Sequence, residues 1–182
     1  PIQILLDGRS LQFAYAQVRT LLIYLVVEAE RVHQRDVLAA LLWPDQSISM
    51  ARTNLRQALS QLRAILGDRA AATPFVLAGR ETIQFNRASS WSLDVAQFTA
   101  LLAAVEQHNH HTLADCNACL AALEAAHDLY RGDLLQQTPL EGGFELEEWA
   151  LLQRERLQRA ALDALMRLAN AYEQRSAADA CR

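Results

Sequence analysis

The sequence predicts a mainly α protein with a small β component, in two parts: a mixed part over 1–90 and an all-helical part over 91–182. Three observations predict it. Apolar residues recur at i, i+3, i+4 and i+7 through most of the chain, the period of an amphipathic helix. Short β-rich runs bounded by turn residues occur only in the first part. Charge also divides there: residues 1–90 hold ten arginines against seven carboxylates, net +3, and 91–182 hold seven against fourteen, net -7. With 182 residues, 52% of them hydrophobic, the chain has enough apolar surface for a folded core.

The first part opens with the apolar run Ile2 to Leu6, which stops at the turn signal Asp7-Gly8. Leu11 and Phe13 then alternate with polar neighbours, so a small hairpin is expected. Val18, Leu21, Leu22, Leu25 and Val26 set a helix over Gln17 to Glu28. Val37, Leu38, Leu41 and Leu42 set a second over Arg35 to Leu42, ended by Pro44. Asp45, Ser47 and Ser49 are candidate caps for a third, which runs to Leu66 with Gly67 as its C′ residue. Thr73 to Leu77 and Glu81 to Phe85 form a second hairpin around Ala78-Gly79-Arg80.

Composition removes several classes of chemistry. All 17 basic residues are arginine, so there is no Schiff-base lysine, no Walker A lysine and no Ser-x-x-Lys pair. The longest apolar run, Leu21 to Val27, is far shorter than the ~20 residues of a spanning helix. No signal-peptide pattern is read, and no membrane association is expected. Three cysteines do not make a disulfide scaffold, and a reducing, cytoplasmic setting is expected. Because residue 1 is proline and the last residues lie in a helical pattern, the chain is expected to be a fragment of a longer protein.

The third helix is the most informative segment. Leu55, Leu59, Leu62 and Leu66 share one face, with Ala51 and Ala58 beside it. At ~100° per residue the opposite face presents Thr53, Gln57, Ser60 and Gln61, with Arg52, Asn54, Arg56 and Arg63 on the flanks. No carboxylate lies between Met50 and Leu66. A solvated helix ordinarily mixes Glu with its Arg, because i, i+4 pairs stabilise it. A nucleic acid supplies the missing anions: arginine forks engage guanine or phosphate, and Gln or Asn pairs with adenine.

The stretches "RTLLIYLVV" (19–27), "RDVLAALLWPD" (35–45), "ARTNLRQALSQLRAILGD" (51–68), and "LYRGDLL" (129–135) followed by "EEWALLQRERL" (147–157), resemble the SARP-type bacterial transcriptional activators. The resemblance covers almost the whole chain. It implies an OmpR-type winged-helix DNA-binding domain over 1–90, without its first strand, followed by an all-helical, tetratricopeptide-like bacterial transcriptional activation domain over 91–182, truncated. It further implies that the helix near 48–66 enters the major groove, that the hairpin near 75–85 is the wing with Arg80 near its tip, and that the helix 35–42 crosses the backbone side. Members bind promoter repeats and contact RNA polymerase, so double-stranded DNA, RNA polymerase and a second copy on repeat sites are the implied partners. The DNA-binding residues expected are Arg52, Thr53, Asn54, Arg56, Gln57, Ser60, Arg63 and Arg80. Two departures stand out: His33-Gln34 replaces the usual Ser before the second helix, and the wing reads "ETIQFN".

In the second part Asp94 is the expected N-cap of a helix holding Val95, Phe98, Leu101, Leu102 and Val105. The next helix is expected from Thr112 to Arg131, with Leu113, Cys116, Leu120, Leu123, His127 and Tyr130 on one stripe and Gly132 ending it. A long helix follows, with Glu145, Glu147 and Glu148 in its first turns and Leu146, Trp149, Leu157, Ala161, Leu165, Leu168 and Tyr172 on its buried face. "LANAYEQRSAADAC" (168–181) is similar to the turn of a tetratricopeptide-type repeat.

His108, His110 and His111 precede Cys116 and Cys119, and zinc takes Cys-x-x-Cys with histidine. Both cysteines are expected inside a helix, with Cys116 on its apolar stripe, so the preferred reading is a pair of buried thiols and no metal. His127 reads as a core or interhelix histidine, Trp43 and Trp149 as core, and Trp91 as packing at the domain junction. No carboxylate pair, glycine-rich phosphate loop or Ser-His-Asp order stands out, so neither an enzyme nor a cofactor is expected. A DNA-binding transcriptional activator is the leading expectation. The alternative is a non-DNA scaffold, with a winged-helix interaction module and a helical peptide receptor.

Overall fold

The computed structural model describes residues 2–109 and 111–180, and divides into two compact units. The first is Pro1–Trp91 together with Leu135–Leu151; the second is Ser92–Leu134 together with Leu152–Arg182. The sequence-based division at residue 90 therefore needs a correction, because 135–151 joins the first unit. The fold is mainly helical, with small antiparallel sheets.

In the first unit β1 (Leu5–Leu6) and β2 (Arg9–Ser10) form the expected small hairpin. Asp7 and Gly8 turn it with φ of 50° and 75°, the two positive values a tight primed turn requires. Helix α1 (Ala16–Val27) follows. A two-residue strand, β3 (His33–Gln34), was not foreseen; it pairs with β5 (Thr82–Phe85), which also pairs with β4 (Val76–Ala78), giving the order β3-β5-β4. Helix α2 (Arg35–Leu42) starts without a side-chain cap. The Arg35 amide donates instead to the Glu81 carbonyl at 2.9 Å, so the hairpin takes the place of the absent Ser.

Helix α3 (Ile48–Ile65) is capped by Ser47, whose hydroxyl accepts from the Met50 amide. It ends as expected at Gly67, with φ 70°. The Gly67 amide donates to Ala64 and the Asp68 amide to Arg63, a Schellman stop. The buried Asp68 carboxylate then accepts the Phe75 and Val76 amides at 2.7 and 2.9 Å, fixing where β4 begins.

The core of this unit is Leu21 and Leu25 of α1, Leu38 of α2, Leu55 and Leu62 of α3, Val76 and Ile83 of the sheet, and Leu146. α1 is buried on several sides, which accounts for its unbroken apolar run. The segment 135–151 is one cover. Thr20 Oγ1 accepts the Glu141 amide, Arg19 donates to the Pro139 carbonyl, and Trp149 packs on Tyr24 while its indole N–H donates to Glu28 at 2.8 Å. Trp91 packs edge-on against Phe85 within this same unit.

The second unit holds α4 (Asp94–Gln107), α5 (Asn117–Leu129) and most of α6 (Phe144–Ala180). Five expectations are corrected here. Asp94 is the first helical residue rather than the cap, and its carboxylate accepts the Val95 amide. α5 starts at Asn117 rather than Thr112, because Thr112 and Asp115 bond each other in a separate turn. The buried face of α6 runs Leu157, Ala161, Ala164 and Ala171, leaving Leu165 and Tyr172 38% and 43% exposed. Finally, 168–180 does not turn: the helix continues through Ala180, in a stretch with neither Gly nor Pro. Cys181, which closes the expected turn, and His110 lie outside the described residues. His127, expected in the core or between helices, is exposed.

Candidate nucleic-acid interface

The outer side of α3 is framed by two neighbours, the start of α2 and the β4–β5 turn. Arg35, the first residue of α2, donates through Nε to the Gly79 carbonyl at 3.0 Å and so holds the hairpin turn beside the helix. Arg52 on α3 reaches Asp36 on α2 through two bonds, Nε and Nη2, of 2.6 and 2.5 Å. This fork-to-fork pair sets the spacing between the helices at their exposed ends. The hydrogen bond from Arg52, followed by its charge, holds the Asp36 carboxyl below its usual range; the same bond raises Arg52.

Two adjoining shallow clefts lie along this side. One is lined by Arg35, Asp36, Arg52, Leu55, Arg56, Arg80 and Glu81. The other is lined by Arg35, Arg56, Leu59, Ser60, Arg63, Arg69 and Ala78. Together they gather six arginines from α2, α3, the loop after α3 and the hairpin turn, against two carboxylates. One of those carboxylates, Asp36, is already committed to Arg52.

The expected site residues divide as follows. Arg56, Gln57 and Ser60 are exposed on α3, and Arg80 is exposed on the hairpin turn. At ~100° per residue Arg52, Arg56 and Arg63 fall within about 40° of one another, on the flank toward the clefts. Asn54 lies on the other flank and is half-buried, so it stands apart from the arginine set. Thr53 is half-buried, and its hydroxyl donates to the Ser49 carbonyl within the helix. Ser60 accepts from Arg69 at 2.8 Å. Arg63 is half-buried, and its Nε has no hydrogen-bond partner among the described residues. The premise that α3 lacks a counter-charge therefore needs one correction: Arg52 has its anion in Asp36, supplied by another helix.

Arg35 and Arg69 were missed. Inspection of one helical face cannot find residues that arrive from a neighbouring helix start and from the loop past Gly67. The only signal for them was the surplus of arginine in 1–90.

The charge split also changes. Segment 135–151 brings four glutamates and no arginine into the first unit, which becomes net -1 and leaves the second at -3. The basic side survives because the charges are kept apart. Gly143, amid those glutamates, donates its amide to Leu41 in the last turn of α2. The arginines cluster at the first turn of the same helix, about 9 Å away at 1.5 Å per residue.

No helix among the described residues is long and apolar enough to cross a membrane. Neither a protein-family model nor a curated protein matches this chain.

Proposed function

We propose that this chain is a sequence-specific DNA-binding transcriptional regulator, with α3 as the recognition helix and the β4–β5 hairpin as the wing. The observation that carries the reading is the convergence of six arginines around the outer flank of α3 and the hairpin turn. The element order of the first unit supports it: helix, short strand, two helices, then a hairpin that shares its sheet with that strand. α3 offers the major groove an exposed row of Arg56, Gln57 and Ser60. Arg80 and Arg69 reach phosphate, releasing counterions and adding affinity for any sequence. Arg52, held by Asp36, positions the recognition helix against α2.

Activation, contact with RNA polymerase, pairing of copies on promoter repeats and a tetratricopeptide-like second domain rest on the resemblance to the SARP-type activators. The scaffold alternative draws on a different observation: Leu162, Met166 and Tyr172 are exposed on one side of α6, an apolar surface of the kind partners cover. Selection of bound duplexes from a random pool, followed by gel shifts at several salt concentrations, separates the two. The regulator yields one enriched sequence whose affinity falls steeply with salt; a chain that retards no duplex even at low salt is not a DNA-binding protein.

A further inference from the structure

His108, Cys116 and Cys119 belong to the second unit, and nothing in the proposed DNA binding uses them. Their donor atoms lie within 4.8 Å of one another. His108 Nδ1 is 3.0 Å from the Cys119 sulfur and 3.4 Å from the Cys116 sulfur. His108 caps the end of α4, and Cys116 is the residue before the first turn of α5. The expectation that Cys116 lay on an internal helical stripe is thereby overturned, and with it the reason for setting a metal aside. Cys119 sits in the first turn of α5, packed with Val105, Leu123 and Ala164.

We propose that these three side chains form a zinc-class metal site that ties the end of α4 to the start of α5. The donors are two thiolates and one imidazole, the set such an ion prefers. With Zn–S near 2.3 Å and Zn–N near 2.0 Å in a tetrahedron, each sulfur and the nitrogen stand about 3.6 Å apart. The observed separations are shorter by about 0.6 Å at Cys119 and about 0.2 Å at Cys116, so an outward movement of the exposed imidazole admits the ion. The Cys-x-x-Cys spacing puts both sulfurs on one side of the first turn of α5 while the imidazole comes from a separate helix. That is the geometry of a three-ligand clamp. Cys119 is 2% exposed and forms the apolar back wall, whereas His108 is exposed, so the fourth position faces solvent and takes water or an exogenous ligand. Two thiols serving only as core would not need an imidazole nitrogen close to both.

The test is cobalt substitution in the full chain under reducing conditions. One Co2+ per chain is expected, with the intense visible bands of a tetrahedral centre and thiolate-to-cobalt charge transfer, both displaced by Zn2+. Cys116→Ser and His108→Ala each abolish that spectrum while circular dichroism stays unchanged, because His108 is exposed and Cys116, half-buried at the edge of the core, is replaced by a residue of nearly its own size. Cys181→Ser retains it. Weak octahedral bands, a spectrum that survives Cys116→Ser and His108→Ala, or one lost in Cys181→Ser would each overturn the assignment. None of these readouts depends on DNA, so the regulator reading can fail without affecting this one.

Discussion

Helices α3 and α6 are both rich in arginine and both bury an apolar stripe, yet they dispose of charge in opposite ways. On α6 two arginines find acids one turn away: Arg159 meets Glu155 at 3.1 Å and Arg167 meets Asp163 at 3.9 Å. On α3 no carboxylate exists to meet them, and the single ion pair among the described residues, Arg52 with Asp36, comes from α2. A helix neutralised by its own i, i+4 pairs offers a polyanion little net attraction. A helix whose arginines are joined by others from neighbouring elements offers a concentrated field. Arginine content alone does not distinguish them; the spacing of the acids does.

The largest expected effect probes where α6 begins rather than its charge. Leu146, fully buried in the core that α3 lines, is expected to lose about 3 kcal/mol of stability to urea on Leu146→Ala. Leu162→Ala on the exposed side of the same helix is expected to cost no more than about 0.5 kcal/mol. Equal losses would mean that 135–151 is not part of the first unit.

Next come the arginines themselves. Arg56→Ala is expected to weaken binding to a selected duplex by about 1–3 kcal/mol and to relax preference at one base position. Arg80→Ala should weaken all duplexes alike and lower the salt slope by about one. Arg159→Ala on α6 should leave gel shifts unchanged, since its partner is Glu155. A loss there as large as at Arg56 would erase the contrast between the helices.

A smaller effect is expected in the opposite direction. Asp36→Asn frees Arg52, so non-specific duplex affinity should rise a few-fold and the salt slope steepen by about one. Unchanged titrations would show that Arg52 does not reach DNA even when released.

The smallest effect separates the two units by pH. His33 is buried against Tyr24, and burial holds its imidazole below the ordinary 6.5. The folded state thus binds fewer protons than the unfolded one. The stability this gives is present above 6.5 and is lost as pH falls through the depressed value. Melting of the first unit should drop just below pH 6.5, and His33→Gln should flatten the dependence. A second unit that softens first over the same range would contradict it.

Much of the fold was legible locally. Asp7-Gly8 and Gly67 declared their turns because few other residues accept positive φ. The leucine stripe of α3 and the apolar run of α1 declared helices because a period of 3.6 is a property of the chain itself. What local reading missed had its cause elsewhere. β3 is two residues whose only reason to be extended is the edge of β5. The start of Cys116's expected helix depended on a turn closed by Thr112 and Asp115. Leu165 and Leu168 looked equivalent on α6 until packing put one of them outward.

By itself the sequence determined the helices, the hairpins, the acid-free outer side of α3 and the absence of lysine chemistry, since each follows from composition and short-range spacing. The tertiary structure alone decided that 135–151 completes the first core, that Asp36 claims Arg52, that Arg35 and Arg69 join the basic side, and that His108 stands over two thiols. Such juxtapositions bring together residues up to 121 positions apart, and no periodicity encodes them. They exist only once burial of apolar surface has folded the chain back on itself.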